Sequence, residues 1–322
     1  MKRILWIILG LVLTVIILLV MYLRFVLPSV GPAPDIQVEI TQERLKRGEY
    51  LATSVMGCID CHTQRDFTKL TAPISGFPFS GGSLDEFTEE NGLPGNFYAQ
   101  NLTPYYLGNW TDGEIYRAIT TGVTKDGRAL FPVMPYHMYA QASEEDIYSV
   151  IAYLRTLKPH EKTVPKSKAK FPVSLLLNTM PKEGVHGEIP PKENLVEYGK
   201  YMITLAACID CHTPMEKGKL FLDEAYSGGL EFVLPTGIVR SSNITPDKET
   251  GIGNWTEEMF VNRFKVYSDS LFTPPVVHEG FNTVMPWTMY AKINDYDLKA
   301  IYAYLQSLEP QKKQVLRFSP KE

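Results

Sequence analysis

One six-residue cysteine motif occurs twice in this chain, and that repetition restricts its fold more than any other feature. Cys58-Ile-Asp-Cys61-His62-Thr63 recurs 150 residues later as Cys208-Ile-Asp-Cys211-His212-Thr213. The surroundings repeat too. Gly48-Glu-Tyr50-Leu51 precedes the first copy and Gly199-Lys-Tyr201-Met202 the second. Asn101-Leu-Thr-Pro104 answers Asn243-Ile-Thr-Pro246, and Gly108-Asn-Trp110-Thr111 answers Gly253-Asn-Trp255-Thr256. Val133-Met134-Pro135-Tyr136 answers Val284-Met285-Pro286-Trp287. The offset drifts between 142 and 151, so insertions fall in loops while the anchoring segments stay in order. That pattern is a tandem duplication of one unit.

Each copy reads as helical at its ends and irregular in its middle. Ile147, Val150, Ile151 and Leu154 lie at i, i+3, i+4 and i+7, and Leu298, Ile301, Tyr302 and Leu305 repeat the spacing of an amphipathic helix. Ser143 with Asp146 and Asn294 with Asp297 are start signals; Pro159 and Pro310 are stops. Thr111 and Glu114 form a capping-box pattern, with a counterpart helix starting at Thr256, and a further helix leads into each cysteine pair. Ten Gly and Pro residues between Gln64 and Trp110 leave no sustained period. Loops of that length count against a compact polypeptide core. A large apolar cofactor filling the core removes the objection.

Cys-x-x-Cys-His is the attachment signature of c-type haem. The thiols add to the porphyrin vinyl groups, and a spacing of three puts both on one side of a helical turn. His62 and His212 then sit under the iron as proximal ligands. Two such motifs imply two covalently bound haem c groups, held by Cys58, Cys61, Cys208 and Cys211, which are all the cysteines of the chain. A structural zinc site normally separates its cysteine pairs by about 15–20 residues, and a thioredoxin-like pair needs an α/β pattern. Neither occurs here.

The sixth iron ligand separates an electron carrier from a haem enzyme. Met134 and Met285 stand 72 and 73 residues after His62 and His212, each followed by Pro and an aromatic residue. A thioether favours Fe(II) and raises the potential. Met138 and Met289 also repeat and are either ligands or core filling. His137 faces Thr288 in the repeat and lies outside the shared pattern. The pairs favoured are His62/Met134 and His212/Met285. His160, His186 and His278 lack repeat partners and read as surface histidines.

Residues Ile4 to Leu23 form a run of 20 without a charge, preceded by Lys2 and Arg3. A helix of that length spans about 30 Å, enough to cross a bilayer, and the Lys/Arg flank places the remainder outside the cytoplasm. A cleaved signal peptide has a shorter apolar region and a small-residue cleavage site, absent here. The expected layout is an anchor over 1–27, a Pro-containing stalk over 28–41, a first domain over 42–160, a linker strap over 161–191 and a second domain over 192–315. The strap holds an apolar stretch, Val173–Met180, too short to span and expected to pack on a domain surface. A net charge of −4 and a pI near 5.9 argue against nucleic acid as a partner.

These residues resemble tandem dihaem class I c-type cytochromes, including cytochrome c subunits of membrane-bound alcohol, aldehyde and gluconate dehydrogenases. The resemblance covers about residues 43–312. It rests on Gly48-x-Tyr50-Leu51, Cys58-x-x-Cys61-His62, Met134-Pro135-Tyr136 and Ala152-Tyr153-Leu154. The second set is Gly199-x-Tyr201-Met202, Cys208-x-x-Cys211-His212, Met285-Pro286-Trp287 and Ala303-Tyr304-Leu305. It implies an all-α fold of two tandem class I cytochrome c domains behind a transmembrane helix, first and last helices crossing at the glycine and aromatic positions, and iron bound by the Met of Met-Pro. Dehydrogenase-associated members of this family usually carry three haem domains; this chain has two.

The function expected is single-electron transfer at the periplasmic or outer face of the cytoplasmic membrane. The donor would be a respiratory dehydrogenase or quinol-oxidising complex, the acceptor an oxidase or soluble cytochrome. A dihaem peroxidase is the alternative, with one labile distal position and His278 or Glu279 as acid–base group. Trp110, Trp255, Asn101 and Asn243 are candidates for propionate hydrogen bonds or for core and turn structure. Asp85, Glu86, Glu89 and Glu90 form an acidic loop and Glu144–Asp146 another, read as solvated surface or as steering for a basic partner.

Overall fold

The apolar amino terminus forms helix α1 (Lys2–Met21), extended by a π-helical turn over Tyr22–Val26; none of its residues is buried. The span Lys2–Val26 is long and apolar enough to cross a membrane. This computed structural model describes residues 1–321 of the 322. Beyond α1 the regular structure is mostly helical.

The first copy of the repeat opens with α2 (Gln42–Tyr50), capped by the Thr41 side chain accepting from Arg44 N. A π-helical turn, Leu51–Val55, carries it into α3 (Cys58–Cys61). After a long loop come α4 (Pro104–Leu107) and α5 (Asp112–Thr121). Helix α5 starts with the capping box expected from Thr111 and Glu114. Then follow α6 (Tyr136–Tyr139) and α7 (Glu144–Arg155), whose N-cap is Ser143 bonding Asp146 N. The linker contributes α8 (Val173–Leu176). The second copy repeats the series as α9 (Leu195–Leu205), α10 (Cys208–His212), α11 (Glu257–Lys265), α12 (Trp287–Tyr290) and α13 (Asp295–Gln306). Thr256 and Asn294 cap α11 and α13 as expected.

In each copy the first and last helices cross, α2 on α7 and α9 on α13. A glycine sits at each crossing because no side chain fits there. A Cβ on Gly48 would lie 1.9 Å from the Ser149 carbonyl oxygen, and one on Gly199 1.9 Å from that of Ala300. Around the crossings Leu51, Val55, Ile147, Ile151, Met202, Leu298 and Leu305 are fully buried. Burying each is worth about 2 kcal/mol.

The irregular middle of the first copy has little regular structure of its own, as its glycines and prolines imply. The second copy departs from an all-helical expectation. Glu231–Leu234 and Gly237–Arg240 form an antiparallel pair in register Glu231↔Arg240, and Phe318–Pro320 adds a third strand through Ile238↔Ser319. The sheet therefore recruits tail residues beyond the expected boundary at 315. The expected stalk, too, is packed: Val38 N donates to Asp112 Oδ2 at 2.8 Å, and Ile36 and Val38 lie against the core.

The two copies are joined reciprocally. The Tyr50 hydroxyl of α2 reaches Asp297 in the first turn of α13, and the equivalent Tyr201 of α9 reaches Asp146 in the first turn of α7. Helix α6 touches α9, and α12 touches the turn Leu51–Val55. The loops cross as well, with Leu70 N donating to Pro275 O at 2.9 Å and Val277 N to Thr68 O at 2.7 Å.

Candidate functional site

Each cysteine motif begins on a residue in the left-handed region, Gly57 at φ 68° and Ala207 at φ 50°, which turns the chain sharply into α3 or α10. All four thiols are free of disulfides. Burial pushes the Cys58 and Cys208 thiols up to about 12, so neither is a thiolate at neutral pH. Among the described residues no cluster of three or more His, Cys, Asp or Glu side chains is placed to hold a metal ion by itself.

The two histidines are oriented identically. His62 Nδ1 lies 2.6 Å from the Gln100 carbonyl, and His212 Nδ1 lies 2.8 Å from the Ser242 carbonyl. A carbonyl only accepts, so Nδ1 carries the proton and Nε2 keeps its lone pair. A carbonyl holding one ring nitrogen in this way fixes the tautomer and orientation of an imidazole whose other nitrogen binds a metal. Burial lowers both imidazole pKa values, against the opposing pull of the carbonyls, and so favours the neutral ligating form. Thr63 and Thr213, fully buried, accept from Phe79 N at 3.0 Å and Tyr226 N at 3.2 Å and clamp the chain just past each histidine.

The Met-Pro-aromatic segments also share one conformation. Tyr136 N donates to Met134 O at 2.7 Å across Pro135 (φ −78°, ψ 51°), and Trp287 N to Met285 O at 2.8 Å across Pro286 (φ −79°, ψ 63°). These are inverse γ-turns, for which the fixed φ of proline is suited. Tyr139 and Tyr290 then tie each turn to its own cysteine motif, donating to the carbonyls of Met56 and Ala206. Met134 is half-buried against the core and Met285 is half-buried. Met289 is buried and packs at Gly57 of the first copy, so it fills the joint between copies. Met138 is half-buried against the core.

This donor set fits covalent haem. Each copy offers two neutral thiols on one helical turn, an imidazole with Nε2 free and a thioether on a rigid turn.

Several sequence expectations need correction. Of the two roles open to Asn101 and Asn243, the structure shows the turn. Each accepts from the threonine two residues on, and Nδ2 is spent on His160 O and Lys162 O for Asn101, or Gln311 O and Thr250 Oγ1 for Asn243. Both are buried. His160 stacks on Phe77 at 4.2 Å, and His186 Nε2 lies 2.8 Å from the Tyr116 hydroxyl, so neither is free surface. His278 and Glu279 are exposed. Glu86 and Asp146 are not solvated either. Asp146 is buried and accepts from two of the guanidinium nitrogens of Arg47, Nη2 at 2.7 Å and Nε at 2.8 Å.

Sequence reasoning missed the charges at the joint. Buried Arg65 bonds Asp60 of the first motif at 3.0 Å, Glu86 at 3.1 Å and the Val284 carbonyl of the second copy at 3.4 Å. Burial, helped by the nearby Asp60 carboxylate, pushes Glu86 up to about 7 despite Arg65, and its buried Oε2 has no hydrogen-bond partner among the described residues. Asp210 of the second motif instead meets His137 of the first copy at 3.0 Å. The repeated Asp within Cys-Ile-Asp-Cys was the available signal, but its partners are different residues in the two copies.

The chain matches no family model. The fructose dehydrogenase cytochrome subunit of Gluconobacter japonicus is 28% identical over 281 residues, covering 82% of this chain and 52% of the relative. The gluconate 2-dehydrogenase cytochrome c subunit of Pantoea cypripedii is 28% identical over 285 residues, covering 82% and 59%. A diheme cytochrome c-type protein of Cereibacter sphaeroides is 27% identical over 288 residues, covering 85% and 88%. The chain thus spans little more than half the length of these two dehydrogenase cytochrome subunits. Over more than four fifths of its own length, it is similar to cytochrome c subunits of dehydrogenases and to a diheme cytochrome c.

Proposed function

We propose that this chain is a membrane-anchored dihaem cytochrome c that passes single electrons from a dehydrogenase or quinol-oxidising complex to an oxidase or soluble cytochrome. Residues 42–160 and 192–315 are its two class I cytochrome c domains, and α1 is its anchor, with the domains on the periplasmic or outer face. Cys58 and Cys61 hold one haem c and Cys208 and Cys211 the other. His62 and Met134 are the axial ligands of the first iron, His212 and Met285 those of the second. Bound haem c supplies a one-electron Fe(III)/Fe(II) couple whose potential a thioether ligand raises.

The observation that carries this reading is the paired imidazole geometry: two histidines, 150 residues apart, each pinned through Nδ1 by a backbone carbonyl with Nε2 left to bind. The chain's own residues hold the ligands still, through Thr63 and Thr213 behind the histidines and the Pro135 and Pro286 turns at the methionines. The names of the relatives support a dehydrogenase as the electron donor. Anchoring would keep the chain near such a partner without a tight docking patch.

A redox titration of the purified chain tests the proposal. Two one-electron steps are expected, with Met134→Ala lowering one midpoint and Met285→Ala the other. Replacement of both methionines without lowering either midpoint contradicts the ligand assignment.

A further inference from the structure

The apolar part of the linker lies at the foot of α1. Asn178 Nδ2 donates to the Leu23 carbonyl at 2.9 Å, and the segment from α8 through Thr179 packs on the turn Tyr22–Val26. Carbonyls in a last helical turn lack intrahelical partners, and lipid supplies none. The uncharged run that begins in α1 ends at Leu23, so a bilayer crossed by α1 would place Asn178 where hydrocarbon gives way to headgroups.

The other end of the linker is fixed to the first copy. Ala169 and Lys168 pair with Gly95 and Asn96 as antiparallel strands, and Lys170 N donates to Pro94 O at 2.8 Å. Residues 168–180 are therefore a positioned arm. Its apolar side chains do not enter a core: Phe171 is 78% exposed, Leu176 and Met180 are exposed, and Phe25 of the adjoining turn is 79% exposed. Arg24 on the turn, Lys168 on the arm, and Lys166 and Lys182 two residues beyond its ends are exposed, while Lys170 is paired with Glu89. Large apolar side chains beside a membrane span, rimmed by cations, have the chemistry of an interfacial element on an anionic bilayer.

We propose that Phe171–Met180 is a membrane-interface arm. With Phe25 it seats apolar side chains at headgroup depth in the bilayer that α1 crosses, and Arg24, Lys166, Lys168 and Lys182 contact anionic phospholipid headgroups. This rests on the reading of α1 as an anchor. The arm holds the first copy, and through the reciprocal joint the second, at a set orientation to the membrane.

Spin labels on the full chain test it in vesicles of phosphatidylcholine with phosphatidylglycerol. Labels enter at Phe171→Cys and Leu176→Cys in the arm, at Val12→Cys in the anchor and at Lys217→Cys, an exposed position in the second copy. The arm labels are expected to respond more to lipid-soluble oxygen than to an aqueous nickel chelate, as Val12→Cys does and Lys217→Cys does not. Omitting phosphatidylglycerol, or the triple change Lys166→Glu, Lys168→Glu and Lys182→Glu, weakens that preference. Arm labels that behave like Lys217→Cys while Val12→Cys is in lipid overturn the proposal and leave the anchor standing. All labels in water overturn both. An arm in lipid regardless of lipid charge overturns the headgroup contacts.

Discussion

The Tyr50 hydroxyl donates to Asp297 Oδ2 at 2.6 Å, and 151 residues later the Tyr201 hydroxyl donates to Asp146 Oδ2 at the same 2.6 Å. The duplicated tyrosines have exchanged acceptors, each holding the last helix of the other copy. The exchange is electrostatically unequal. Asp146 also has Arg47, whereas the residue matching Arg47 is Tyr198, which reaches Asp297 Oδ1 at 3.1 Å. Removing a hydrogen bond to a charged acceptor costs about 1.5–3 kcal/mol. Tyr50→Phe should fall at the upper end of that range, because no cation pairs with Asp297 among the described residues, and Tyr201→Phe at the lower. Denaturant unfolding of both variants checks the order, and the reverse order contradicts it.

The helix crossings predict intolerance to a single methyl group. Gly48→Ala and Gly199→Ala each force a Cβ into a backbone carbonyl that has no rotamer to change. Each should cost about 3 kcal/mol or more, the upper range of overpacking. A melting temperature within a few degrees of the parent would show that the helices separate more easily than this packing allows.

Ala207 holds the left-handed position that Gly57 fills in the first copy. An L side chain there costs about 1–2 kcal/mol, and glycine returns about 0.5–1 kcal/mol of that to unfolded-state entropy. Ala207→Gly should therefore stabilise the chain by about 0.5–1 kcal/mol, read as a raised unfolding midpoint. A lowered midpoint contradicts the strain assigned to this turn.

Glu86 gives the fold a pH dependence of defined sign. Its carboxyl is raised from 4.5 to about 7, first by burial, so the folded chain binds its proton more tightly than the unfolded chain does. This contribution to stability is present below 4.5 and is lost as pH rises to about 7, amounting to about 3 kcal/mol by linkage. Glu86→Gln, which keeps an acceptor for Arg65, should flatten the stability profile across that window. A profile unchanged by the substitution contradicts it.

The helices and their caps were legible because their signals are local. The pairs Thr111/Glu114, Ser143/Asp146 and Asn294/Asp297 act within one turn, and the apolar periods show which face is buried. The cysteine turns, the histidines and the Met-Pro turns were legible because duplication marked them. What escaped was non-local. The carbonyls of Gln100 and Ser242 are backbone groups with no residue signature. Arg65 meets Asp60 and Glu86 only after a loop folds back, and Glu86 looked like one more acid in a solvated run. The exchange of Tyr50 and Tyr201 requires knowing that the copies face each other.

In the proposed function both sites are closed by one histidine and one methionine. The absorption spectrum of the reduced full-length chain, recorded before and after adding carbon monoxide, tests it most directly. No change is expected if Met134 and Met285, on the Pro135 and Pro286 turns, are the sixth ligands, because both irons would then be six-coordinate. A shift in either haem would reveal a labile distal position, and the chain would then be a ligand-binding haem protein rather than an electron carrier.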